Sequence, residues 1–72
     1  MKIPQIHPSV LTGKTPIGDP FHERRINGVQ ILAQRNRRGE WHGYVSGMHK
    51  TMFASEKEGF DWVLNYPMSE CS

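Results

Sequence analysis

The sequence predicts an α+β domain: a three-stranded antiparallel meander with one C-terminal helix packed on one face, preceded by an extended N-terminal arm. Three observations carry that expectation. Residues 29–35 and 40–46 place apolar side chains at the two-residue period of a half-buried strand, with a glycine-bearing turn between them. From residue 55 onward the spacing becomes helical, with Phe60, Val63 and Leu64 on one stripe behind a capping serine. Four of the five prolines fall in the first twenty residues, where neither helix nor central strand is expected around them.

Residues 1–20 are therefore read as the arm, residues 21–67 as a β-β-β-α domain and residues 68–72 as a C-terminal tail. Ile3, Ile6, Val10, Leu11 and Ile17 make the arm apolar enough to lie on the domain or on another subunit. Asn27-Gly28 accepts the positive φ angles of a type I′ turn, so residues 21–26 are available as a fourth strand, at best an edge. Val29, Ile31 and Ala33 share a face of the next strand. Asn36-Arg37-Arg38-Gly39 supplies a turn in which Gly39 can take a left-handed conformation. In residues 40–46, Trp41, Gly43 and Val45 lie on one face and His42, Tyr44 and Ser46 on the other. Gly47 ends that strand, and residues 50–54 make the third, with Thr51 and Phe53 on one face.

The helix is expected over residues 56–66. Ser55 is a good N-cap with Glu58 three residues on, and Glu56 and Glu58 suit the positive end of the helix dipole. Gly59 is worse than alanine by about 1 kcal/mol inside a helix, which points to close packing on a strand. Pro67 closes the element. The expected core is Val29, Ile31, Trp41, Val45, Phe53, Phe60, Val63 and Leu64.

At 72 residues the chain is one small domain that buries little surface. Its single cysteine, Cys71, closes the route of an internal disulfide and fits a reducing, cytoplasmic setting. A second copy of the chain (a homodimer) or a larger partner is the expected support. No signal peptide or membrane span is visible, so no membrane partner is expected. The net charge is only +2, but residues 1–50 carry eight Lys/Arg against three Asp/Glu, while residues 51–72 carry one against four. The sheet side is thus expected to be basic and the helix acidic.

The basic cluster is the main functional lead. Arg24, Arg25, Arg35, Arg37, Arg38 and Lys50 fall on or beside adjacent strands, with His42 and Tyr44 interspersed. A twisted sheet carrying such side chains can enter a major groove, its arginines serving phosphates and guanine edges. The same arginines also suit a solvated hairpin tip that blunts a sheet edge. His42 and His49 fall on neighbouring strands, and His7, His22 and Cys71 are available elsewhere, but no Cys-x₂-Cys or His-x₃-His pair occurs. No metal or cofactor is therefore expected. There is no Gly-rich phosphate loop and no GxSxG elbow, and Glu40 with His42 would sit beside an exposed turn without a pocket, so an enzyme is not expected. Trp41, Tyr44, Trp62, Tyr66 and four methionines keep protein binding as the competing reading.

From Val29 to Tyr66 the order of elements is similar to the three-strand-plus-helix modules of AP2-type domains and of integrase arm-binding domains. Gly39-Glu40-Trp41-His42-Gly43-Tyr44-Val45, followed by Phe53-Ala54-Ser55 and Glu58, resembles their strand-turn-strand and the start of their helix. That resemblance implies a sheet that reads double-stranded DNA, with Arg35, Arg37, Arg38, His42 and Tyr44 on the contact face. The chain departs from these families at Gly59, where alanine is common, and in an apolar first strand. Phe53-Ala54-Ser55 through Trp62 to Pro67 also resembles small phage-encoded inhibitors, anti-CRISPR proteins among them. The preferred expectation is a phage or mobile-element accessory protein that binds DNA through a basic sheet face; the alternative is an inhibitor that docks on a host protein complex.

Overall fold

The structure is a computed structural model and describes residues 8–67 and Ser69. Five strands, β1 (Leu11–Lys14), β2 (Pro20–Ile26), β3 (Val29–Arg35), β4 (Trp41–Val45) and β5 (Met48–Phe53), are followed by α1 (Glu56–Asn65). Each strand pairs antiparallel with its neighbours in sequence, giving one open sheet in the order β1-β2-β3-β4-β5. The helix lies across one face, over β2 and β3 and reaching β4 and β5. The class is as the sequence predicts; the strand count is five, not three or four.

β1 comes from the proline-rich region, and residues 21–26, available as a fourth strand, form most of β2. β1 lies inside the segment read as an arm, and β2 begins at Pro20, which stands opposite Lys14. Proline is tolerated as the first residue of a strand, where one missing donor costs little of the ladder. Of the arm's apolar residues, Val10 is buried in the core, whereas Leu11 and Ile17 are exposed; Ile3 and Ile6 lie outside the described residues. β2 is not an edge but the second strand in, carrying buried His22 and Ile26.

Two kinds of turn alternate along the meander. Asn27-Gly28 and Ser46-Gly47 both show φ near 52° and 81°, the paired positive values of a type I′ turn. Thr15–Asp19 and Asn36–Glu40 share a different design. In each, the first residue's N–H donates to the last residue's carbonyl, and a glycine of positive φ (Gly18 or Gly39) donates back to the first carbonyl. The first side chain then accepts from the last backbone N–H, through Thr15 Oγ1 or Asn36 Oδ1. Tight turns gather at one end of the sheet and the five-residue loops at the other.

The core is the layer between sheet and helix. Val10, Ile26, Ile31, Ala33, Trp41, Phe60 and Val63 are buried, with Val29, Val45, Phe53, Trp62, Leu64 and Tyr66 half-buried against them. All eight residues expected in the core belong to this cluster. Ser55 caps α1, its Oγ accepting from the Glu58 N–H at 3.3 Å, and Tyr66 turns extended before Pro67. Gly59 sits directly on the sheet: a Cβ there would lie 3.3 Å from Ala33 Cβ and 3.3 Å from Phe53 Cδ2. Gly43 is tighter still, with a built Cβ 2.9 Å from Phe53 Cζ and 3.0 Å from Trp62 Cζ3.

β2 fastens both ends of the helix. The His22 ring is fully buried, stacked on Trp41 at 5.6 Å and edge-on to Phe60 at 5.0 Å. Its Nδ1 meets Thr12 Oγ1 at 2.8 Å and its Nε2 meets Glu56 Oε2 at 2.9 Å, so it joins β1 to the first residue of α1. Two residues further along, Arg24 donates to the carbonyls of Val63 and Leu64 at the other end of α1. The last turn holds no basic residue of its own, and the strand supplies the cation that the negative helix end favours.

Candidate functional site

The helix covers one face of the sheet and leaves the other bare. Cross-strand partners point to the same side of a sheet, so the register assigns every side chain to a face. One open-face row runs Leu11, Glu23, Leu32, Tyr44, His49, and the next runs Gly13, Phe21, Gln34, His42, Met52. Arg25 and Gln30 extend the surface toward the Asn27-Gly28 turn. Phe21, Leu32, Gln30, Gln34, Glu23 and Thr15 line a shallow depression of about 200 Å³ on this face. The middle of the surface is aromatic, aliphatic and amide in character apart from Glu23, whose carboxylate is engaged by Gln30 with Arg25 nearby.

The residues assigned to a basic contact face are dispersed by the fold. His42, Tyr44 and Arg25 lie on the open face. Arg37 and Arg38 are exposed at the tip of the β3–β4 loop, and Lys50 is exposed on β5, so these three stand at the rim. Arg24 and Arg35 lie in rows with Ile31 and Trp41, on the helix side, and Arg24 is bound to the end of α1. Two-residue alternation decides this: Arg24 and Arg25 are adjacent in sequence and must face opposite ways. The sheet side is therefore not uniformly basic; its cations border a nearly uncharged centre.

Carboxylates on this side are all engaged. Glu23 accepts from Gln30 and lies 3.9 Å from Arg25. Glu40 accepts from Asn36 Nδ2 at 2.9 Å and lies 3.7 Å from His42 Nε2. The Asn36 bond, with His42 and the charge of Arg38 assisting, holds the Glu40 carboxyl below its usual range.

A β-bulge builds the corner where β4 meets β5. Gly43 stands opposite Thr51 but Tyr44 stands opposite His49, so Lys50 is passed over in the ladder. That extra residue reverses the alternation, putting His49 on the open face although Thr51 and Phe53 face the helix. His49 Nε2 then lies 2.9 Å from His42 Nδ1, and its ring packs edge-on to Tyr44 at 5.5 Å. Hydrogen positions follow from Asn36. Its Oδ1 accepts from the N–H groups of Arg38 and Glu40, which fixes Nδ2 as the donor toward Glu40 and toward His42 Nε2 at 3.2 Å. In neutral His42 the hydrogen is thus on Nδ1, donated to His49.

Sequence reasoning found His42, Tyr44 and their face but missed Phe21, because β2 was not recognised as an interior strand, and Leu32, on the face of β3 away from Ile31 and Ala33. Apolar Phe21 at the start of a polar run was the available signal. The free edges of the sheet offer little: β1 is four residues long and ends in Lys14, and β5 carries the bulge with Lys50. No helix is long and apolar enough to cross a membrane among the described residues. No family model, curated protein or solved structure matches the chain.

Proposed function

We propose that this protein is a non-enzymatic docking module that covers the surface of a partner protein with the open face of its sheet. One observation carries the reading: the uncovered face joins Leu11, Phe21, Leu32, Tyr44 and Met52 around Gln30, Gln34 and two histidines, with the cations at its border. A charge-depleted centre rich in aromatic and methionine side chains, ringed by arginine and lysine, is the composition of protein interfaces. Leu11 and Met52 are 61% and 53% exposed, a large apolar outlay for so small a domain unless something covers it. The cationic border selects a partner whose own rim is acidic. Such a role suits an accessory protein that blocks a larger complex.

Duplex DNA is the second reading, favoured by the paired Arg37 and Arg38 at an exposed loop tip with Lys50. Photo-crosslinking residues at Leu32, at Arg37 and at Lys57 on the outer helix face separate the two. Docking predicts a protein adduct from position 32 that survives nuclease, and none from position 57. Equal adducts from 32 and 57 would overturn it. So would a duplex affinity that persists at physiological salt and collapses when Arg37 and Arg38 become alanine.

A further inference from the structure

We propose that Thr12 is an activated nucleophile, a modification site that takes an acyl group from a thioester, with His22 as its general base and Glu56 positioning the ring. The site goes beyond the docking reading, lies on the other side of the sheet and does not depend on it. Thr12 Oγ1 is 2.8 Å from His22 Nδ1, and His22 Nε2 is 2.9 Å from Glu56 Oε2. A carboxylate only accepts, so in the neutral ring the hydrogen is on Nε2 and Nδ1 offers its lone pair to the Thr12 hydroxyl. Hydroxyl, imidazole and carboxylate thus stand in the order that nucleophilic catalysis uses, each within hydrogen-bond reach of the next.

The burial of the groups matches those roles. The ring is fully buried, stacked on Trp41 and edge-on to Phe60, so its orientation toward Thr12 is held. Thr12 is exposed on β1, the end strand of the sheet, so an incoming carbonyl can reach its hydroxyl. The ladder supplies an independent observation. Thr15 N–H donates to the Asp19 carbonyl, which makes that pair a bonded one, and alternation then makes Lys14–Pro20 and Thr12–His22 non-bonded pairs. Pro20, which has no N–H, fits that assignment. The Thr12 N–H therefore points away from β2, where an oxyanion forming on the attacked carbonyl can accept from it. A nucleophile's own amide serves in this way in serine proteases.

The step balances with the thioester as its one co-reactant. The Thr12 oxygen attacks the carbonyl carbon as its proton passes to His22 Nδ1, the carbon–sulfur bond breaks, and the thiolate departs with the electron pair. The products are an O-acyl threonine, a thiolate and a His22 imidazolium that donates to Glu56 until it yields the proton to solvent. Because the ring is fully buried behind Thr12, a hydrolytic water has no place beside Nδ1. The acyl group therefore stays, and the chain is acylated once rather than turning over.

Incubation of the full chain, in a Cys71→Ser background, with S-phenyl thioacetate tests the proposal, read by mass spectrometry and peptide mapping. An acetyl group should appear on Thr12 and be removed by hydroxylamine. Thr12→Ala should abolish that adduct, whereas Thr12→Ser should keep it. His22→Phe should slow acetylation about a hundredfold or more and remove its solvent deuterium isotope effect. Glu56→Gln, which can keep a bond to the ring without the charge, should slow it about tenfold. Ring nitrogen NMR of the parent should show neutral His22 with its hydrogen on Nε2. Where His22→Phe loses its native circular dichroism, the Glu56→Gln rate and the ring spectrum decide. No acetyl on Thr12, an unchanged rate in Glu56→Gln or in folded His22→Phe, or a neutral ring with its hydrogen on Nδ1 would each overturn the proposal.

Discussion

Replacing His22 separates packing from polar bonding in the layer that holds the helix. The ring is fully buried between Trp41 and Phe60, yet both its polar partners reach water: Thr12 is exposed and the Glu56 side chain is 46% exposed. Truncation in His22→Ala removes a ring's worth of contacts and leaves a cavity. By comparison with aromatic truncations, the expected loss is about 3 kcal/mol. His22→Phe keeps a flat ring between the same neighbours and loses the bonds to Thr12 and Glu56. Because neither partner is stranded away from solvent, that loss should be about 1 kcal/mol. At roughly 4–8 °C per kcal/mol for a domain this size, midpoints should fall by about 12–24 °C for alanine and about 4–8 °C for phenylalanine. Thermal unfolding followed by tryptophan fluorescence and circular dichroism measures both. Equal losses in the two variants would refute the reasoning, and would mean that the hydroxyl–imidazole–carboxylate chain, not the stacked ring, secures the fold.

Three further outcomes are expected. Gly43→Ala should destabilise by about 1–3 kcal/mol in urea unfolding, since its methyl would meet Phe53 Cζ at 2.9 Å and Trp62 Cζ3 at 3.0 Å; Gly59→Ala, at 3.3 Å from its nearest neighbours and with about 1 kcal/mol of helix propensity in its favour, should be close to neutral. Arg24→Met should lower stability by about 1–2 kcal/mol while leaving partner or duplex binding unchanged, because its guanidinium bonds the end of α1. The Glu40 carboxyl has a lowered folded pKa, so its contribution is full above its ordinary value near 4.5 and is lost as pH falls through the folded value; Glu40→Gln should flatten the acid limb of a stability–pH curve, and an unchanged limb would contradict the Asn36 contact as its cause.

Much of the fold was legible in the residues themselves. Ser55, Glu58 and the Phe60-Val63-Leu64 stripe announce α1, Asn27-Gly28 marks a hairpin, and the faces of β3 and β4 follow from their alternation, since these are local consequences of backbone sterics and side-chain period. β2 was obscured because two of its four helix-facing positions are polar: His22 and Arg24 are needed there to bond the helix ends, a requirement that exists only once the helix lies across the sheet. β1 was hidden for a similar reason, since a four-residue strand bordered by prolines acquires its pairing only from β2.

The candidate site divides along the same line. Its residue types, histidine, tyrosine, arginine and methionine on adjoining strands, could be read from sequence alone. Their arrangement could not. Register sent Arg24 and Arg35 to the helix side, and one skipped residue in β5 turned His49 to the open face beside His42 and Met52. Local sequence determines whether a strand or helix forms, because the forces involved act over a few residues. Which neighbours a side chain meets depends on how distant strands align, and a shift of one residue there reverses every face.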